Sequence, residues 1–159
     1  MQPLPVPDRQ PADPDFNDRV RSSFAQQAAM SLIGAELVEV APGRIVMTLA
    51  HSARVTQQHG FIHAGIVSTA LDSACGYAAA TLMPADAGVL TIEFKVNLLA
   101  PARGPLLRIE GRVTKAGRTI SVADGQAWQP HPSRAGEEQL VATVTATLMT
   151  VTGRDDVRR

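Results

Sequence analysis

Hydrophobic and polar positions change their period along the chain, and each change marks an element. The first fourteen residues carry no apolar repeat. Pro3, Pro5, Pro7, Pro11 and Pro14 fall among them, which predicts an extended, mobile tail. Asp13-Pro14-Asp15 then reads as helix cap, first helical position and first-turn acid. Phe16, Val20, Phe24 and Ala28 follow at i+4 spacing, an apolar stripe on a surface helix that ends near Gly34. From Ala35 the period falls to two. Residues 35–40 and 44–50 flank Ala41-Pro42-Gly43 and predict a hairpin. Residues 62–83 form a long segment rich in Ala, Gly and Ser, stopped by Pro84. Four strand-like runs follow, at 89–99, 106–115, 119–128 and 140–151. In the first, Leu90, Ile92, Phe94, Val96 and Leu98 alternate with Thr91, Glu93, Lys95 and Asn97. Short turns between the runs favour a meander.

These elements predict an α+β fold: an antiparallel sheet wrapped around a long central helix, with an extra N-terminal helix. A sheet with one apolar face must cover something, and residues 62–83 are the only element apolar enough to be covered. A membrane span of that length is opposed by Asp72 near its middle, where a carboxylate costs roughly 2.5–3.5 kcal/mol. The expected organisation is a tail over residues 1–14, one domain over 15–152 and a frayed tail over 153–159.

Composition narrows the function classes. With 159 residues and 16.9 kDa the chain has room for one domain. Lys+Arg and Asp+Glu balance at 15 each, so no overall positive field gathers nucleic acid or an anionic membrane. One cysteine, Cys75, excludes an intramolecular disulfide and a cysteine-based zinc site and suits a reducing cytoplasm. Four histidines without metal-ligand spacing argue against a metal hydrolase. The N-terminus lacks a basic region followed by an apolar run, so no signal peptide is expected.

Asp72 is the residue to explain. It is the only charged side chain between His63 and Asp86, on the helix expected to be most buried. An ionised carboxylate there must be paired, hydrated in a cavity, or shifted in pKa. Gln57, His59, Gly60, His63, Ala64 and Gly65 precede or open that helix, whose N-terminus offers unpaired N–H groups to an oxyanion. Gly65 and Asp72 lie on nearly one helix face but about 10 Å apart along the axis. A catalytic carboxylate must come within about 3 Å of the reacting carbon or of its water. One helix therefore cannot supply both oxyanion donor and carboxylate to one substrate, whereas a second copy across a two-fold axis can. If Asp72 is catalytic, a dimer with shared sites follows, and Gly76, one turn further on, adds to the small surface that would allow close approach.

Gln57-Gln58-His59-Gly60-Phe61-Ile62-His63-Ala64-Gly65, followed by Leu71-Asp72-Ser73-Ala74-Cys75-Gly76-Tyr77-Ala78, resembles the hotdog-fold thioesterases of the phenylacetate-degradation (PaaI-like) family. Residues 91–102 and 116–127 are also similar to that family, and the resemblance spans about residues 35–150. It implies an acyl-CoA thioesterase acting as a dimer or a dimer-of-dimers tetramer, without metal or bound cofactor. By position it implies Asp72 as general base or nucleophile and Gln57 as the amide that polarises the thioester or orients water. His63 becomes an orienting histidine at the helix start. Ala64 supplies the backbone N–H for the thioester oxygen, and Thr91 a hydroxyl beside the carboxylate. Ala64 departs from the glycine of the family's His-Gly-Gly; alanine keeps the N–H, though its methyl narrows the site.

The Gln-x-His-Gly-x-x-His-Ala-Gly variant looks most like the subgroup acting on medium- and long-chain acyl-CoA. The CoA phosphates call for a local basic patch, for which Arg103, Arg108, Arg112, Lys115 and Arg118 are candidates, with Arg103 and Arg118 taken as substrate-binding alongside Gly65 and Gly76. Two rivals remain. A hydratase or dehydratase on the same fold would carry motifs absent here, and a non-catalytic acyl-binding dimer would be indifferent to Asp72→Asn.

Overall fold

The computed structural model describes residues 10–154 and 156–157; of the predicted tails at 1–14 and 153–159, residues 1–9, 155 and 158–159 lie outside them. Three helices and six strands follow in the order α1 (Phe16–Gln26), α2 (Ala28–Ile33), β1 (Ala35–Ala41), β2 (Arg44–Ala50), α3 (Ala64–Ala80), β3 (Gly88–Leu98), β4 (Leu106–Lys115), β5 (Ile120–Pro130) and β6 (Glu138–Val151), with a short 3-10 turn at Ala53–Val55 before α3.

The N-terminal helix expected as one is two. Gln27 leaves helical geometry at ψ 95° and caps α1 by donating its N–H to Phe24 O at 3.0 Å. α2 ends where expected, at Gly34 with φ 75°, the left-handed conformation that glycine adopts without a Cβ penalty. Residues 10–14 belong to the same unit. Asp13 is buried, accepts from Asp15 N at 2.9 Å and from Arg19 Nε at 2.7 Å, and Arg19 Nη2 donates to Ala80 O and Met83 O, both at 3.1 Å. This links α1 to the C-terminal end of α3.

α3 is shorter than the apolar run at both ends. Ile62 is held in extended geometry, bridged to Thr56 and donating to Ala102 O at 2.8 Å. His63 is the N-cap, its Nδ1 accepting from Gly65 N at 2.9 Å. At the other end Thr81 is fully buried; its hydroxyl donates to Ala78 O and accepts from Gly43 N, both at 2.7 Å. One threonine thus stops the helix and pins the β1–β2 turn to it.

The strands form one antiparallel sheet in the order β1-β2-β4-β5-β6-β3. β4, β5 and β6 are a meander, but the expectation that β3 would join it next to β4 is corrected. β3 pairs with β6 at the far edge, and the loop from Leu99 to Pro105 carries the chain back across. The sheet curls around α3, which is buried on most sides from Ala70 to Ala80. Contact is closest where the sheet carries glycine: a Cβ on Gly111 would collide with the Ala74 backbone, and one on Gly125 would lie 2.7 Å from Val144 and 3.1 Å from Cys75 Sγ.

β3 differs from its sequence reading in one further way. Its pairing slips between Thr91 and Glu93, a bulge at Ile92. Thr91, opposite buried Leu148, and Phe94, opposite buried Ala146, therefore share the helix-facing side. Lying at the edge, Leu90, Ile92, Phe94 and Leu98 remain 41–53% exposed. Among the described residues no helix is long and apolar enough to cross a membrane.

Candidate functional site

The sequence candidates fall into three places. Asp72, Gly76 and Thr91 line one cavity of about 600 Å³ that runs along α3 from Asp72 to Ala80, walled by α1 on one side and residues 85–91 on the other. Thr91 Oγ1 donates to Asp72 Oδ1 at 2.8 Å. Asp72 is half-buried, and that burial raises its carboxyl above the ordinary value, an effect the Thr91 hydrogen bond partly offsets. Gly76 is buried within its own chain and lines this cavity.

Gln57, His63, Ala64, Gly65 and Arg103 gather instead at the N-terminal end of α3. Residues 57–61 form a tight loop: Gln57 N donates to Phe61 O at 2.8 Å and Gly60 N to Gln57 O at 3.0 Å. His51 Nε2 donates to Gly60 O at 2.8 Å and holds the loop to the end of β2. His59 N donates to Gln57 Oε1, so the Gln57 oxygen is already an acceptor within the loop. The first four N–H groups of α3 are nearly all used. Gly65 N goes to His63 Nδ1, while Ile66 N and Val67 N go to His63 O at 2.9 and 3.2 Å. Among the described residues the Ala64 N–H alone of these four has no partner, and it sits on the exposed side of the helix start. Accepting at Nδ1 also fixes His63 as the tautomer with its proton on Nε2.

The basic candidates separate as well. Arg103 lies with its guanidinium 4.7 Å from the centre of the Phe61 ring, beside the helix-start loop. Arg108 and Arg112 are committed on the outer sheet face: Arg108 pairs with Glu138 at 2.6 Å and covers Trp128 at 4.1 Å, and Arg112 pairs with Glu110 at 2.7 Å. Arg118 lines a second cavity near the C-terminal end of α3, apart from Asp72.

Sequence reasoning missed part of the cavity wall. Tyr77 presents its hydroxyl 3.4 Å from Ser23 Oγ, and Gln27 Oε1 accepts from Ser73 Oγ at 3.4 Å. Ser23 and Gln27, at i and i+4 on an otherwise apolar face of the N-terminal helix, were the available signal. Cys75, the one thiol, faces the sheet instead; burial, with Asp72 and Asp124 adding to it, pushes its pKa up to about 12, so it is no nucleophile.

Along α3, Ala64 and Asp72 are eight residues apart, about 12 Å of helix. One chain thus holds a donor site and a carboxylate site that cannot meet on one bond. A sheet wrapped around such a helix, with a carboxylate on its cavity side and an unused N–H at its start, agrees with the hotdog-fold thioesterases that the sequence resembles.

The sequence profile of the thioesterase superfamily matches residues 59–135, the stretch from the helix-start loop to the β5–β6 turn. A thioesterase family protein of Silicibacter pomeroyi is 49% identical, with a TM-score of 0.82 over 87% of this chain and 99% of that one. The 1,4-dihydroxy-2-naphthoyl-CoA hydrolase of Listeria monocytogenes is 28% identical over 57% of this chain and 73% of its own length. The PaaI protein of the E. coli phenylacetic acid degradation operon shares the fold, with a TM-score of 0.73 over 87% of this chain and 95% of that one at 17% identity. The chain belongs to the thioesterase superfamily. It is a thioester hydrolase.

Proposed function

We propose that the chain hydrolyses acyl-CoA to a carboxylic acid and CoA at sites shared between two copies. The observation that carries this reading is the separation within α3. The unpartnered Ala64 N–H and the Asp72 carboxylate stand on one helix but too far apart for one thioester, so a site using both joins Ala64 of one copy to Asp72 of the other. The exposed apolar edge of β3 supports such an assembly, because an uncovered edge strand with Ile92 at 53% and Leu98 at 52% exposure invites pairing.

In this reading the thioester oxygen accepts from Ala64 N–H and from the side-chain amide of Gln57, which stabilise charge as the carbonyl becomes tetrahedral. Asp72 is the reacting group: it either draws a proton from the water that attacks the carbonyl and displaces CoA thiolate, or attacks the carbonyl itself, expelling CoA thiolate to form an anhydride that water then hydrolyses. Thr91 orients it. His63 acts through its cap, holding the first turn of α3 in place. Gly65 leaves the helix start uncrowded, and Arg103, with the more distant Arg118, attracts the CoA phosphates. The acyl group enters the cavity beside Asp72, whose length along α3 supports a medium or long chain. The naphthoyl-CoA specificity of the Listeria relative keeps an aryl group as the alternative occupant. A free buried Cys75 is compatible with a reducing compartment, and a cytoplasmic location is proposed on that ground.

The test is a panel of acyl-CoA thioesters of increasing length together with phenylacetyl- and naphthoyl-CoA, released thiol being followed with a colour reagent. Turnover of at least one at a kcat/KM above about 10⁴ M⁻¹s⁻¹, the lower range for enzymes, is expected. Failure across the panel would set acyl-CoA aside as the substrate class.

A further inference from the structure

Three buried glycines touch the central helix or lie within it, and only two are accounted for by the protein. Gly111 and Gly125 stand where the sheet meets α3, and a Cβ at either would strike helix or neighbouring strand atoms. Gly76 is different. It sits mid-helix, in ordinary helical geometry, where glycine is about 1 kcal/mol less favourable than alanine. Yet a Cβ added there would meet nothing within 4 Å. Its position is buried within the single chain. The space that its missing side chain leaves is cavity space, one helical turn from Asp72 and next to Tyr77.

We infer that Gly76 is the residue that sets how large an acyl group the site accepts, by keeping open the passage from the Asp72 carboxylate into the cavity along α3. The inference rests on the hydrolase reading above and adds to it the position that controls substrate size. A thioester carbon held at Asp72 sends its acyl chain toward Ala80. The first methylenes must pass the face of α3 at Gly76, since α3 advances only about 6 Å from Asp72 to Gly76. Any side chain there projects into that path. Tyr77, Ser23 and Val89 line the same cavity as Gly76. Helix stability alone would favour alanine at this position, so an unobstructed passage is what glycine provides.

The experiment compares wild type with Gly76→Ala and Gly76→Leu in two measurements: kcat/KM on butanoyl- and dodecanoyl-CoA, and calorimetric binding of the unreactive S-butyl and S-dodecyl thioethers of CoA. Burial of each methylene is worth about fourfold, so wild type should favour the longer member in both. In Gly76→Leu the dodecanoyl-to-butanoyl ratio should fall at least tenfold, and in Gly76→Ala several-fold, while the Tm of Gly76→Ala rises. Should the leucine variant not fold, the alanine variant still decides. Unchanged ratios in folded variants overturn the inference. If wild type binds the thioethers with the length preference that Gly76→Leu loses, yet cleaves no thioester, the hydrolase reading fails and the role of Gly76 stands. If wild type binds neither thioether and cleaves neither ester, both fall.

Discussion

Thr91 Oγ1 reaches Asp72 Oδ1 at 2.8 Å because β3 carries one extra residue, Ile92, between Thr91 and Glu93. Without the bulge, strict alternation would put Thr91 on the face opposite Phe94, away from α3. The bulge thus turns an outward threonine into the partner of the half-buried carboxylate. Thr91→Val should remove that donor at nearly constant shape. The Asp72 pKa should then rise further, and the acid limb of the kcat/KM profile should move to higher pH. An unmoved limb in Thr91→Val would mean that the hydroxyl does not act on Asp72.

Asp72 should cost stability at neutral pH. Its folded pKa is raised above 3.8, chiefly by burial, so the fold favours the protonated form. That stabilisation is present in full below the unfolded value and is lost as pH rises through the folded value. Asp72→Asn, which keeps the shape without the charge, should melt higher than wild type at pH 7. The gap should close as pH falls toward the unfolded value. A variant that melts lower than wild type at pH 7 would show that the carboxylate has a favourable charged partner in the assembly.

Asp13 carries the opposite sign. Its carboxyl is held below 3.8, first by the Arg19 hydrogen bond and then by Asp15 N–H. Its contribution is therefore present above the unfolded value and lost as pH falls through the folded one. Arg19→Met should lower Tm at pH 7 by freeing α1 from Ala80 O and Met83 O. The deficit attached to Asp13 should shrink in acid. Equal deficits at pH 7 and pH 3 would contradict the pairing as its source.

The helix start offers a cleaner probe than any side-chain deletion. Proline is tolerated at the first helical position, and His63, at φ −61° and ψ 137°, already has the extended geometry that a following proline requires. Ala64→Pro should fold, by circular dichroism, while losing the one unpartnered N–H of the first turn. Loss of an oxyanion donor costs about 10²–10³ in kcat. A folded Ala64→Pro enzyme with normal turnover would place the donor elsewhere.

Much of this was legible in the sequence, for identifiable reasons. The hairpin, the long helix and the last four strands announce themselves by period and by Pro42-Gly43 and Pro84, and a single aspartate in an apolar helix stands out by charge alone. What was not legible depends on distant partners. Nothing local says that β3 pairs with β6 instead of β4, because both neighbours offer the same alternation. The break at Gln27 interrupts a stripe that remains apolar on either side. The bulge at Ile92 is invisible to a reading that assumes strict alternation. Arg108 could be told from Arg103 only once Glu138 was seen on β6, whereas the partner of Arg112, Glu110, stands two residues away on the same strand.

The proposal turns on Asp72 as the reacting group, and one measurement tests it most directly: kcat of purified, folded Asp72→Asn on the best acyl-CoA of the panel. Asparagine keeps the volume but can neither take the proton nor attack the carbonyl. The expected result is a kcat lower by at least about 10², the lower range for general acid–base catalysis, with KM little changed. Hydrolysis at the wild-type rate would make Asp72 a structural residue and the proposed site wrong.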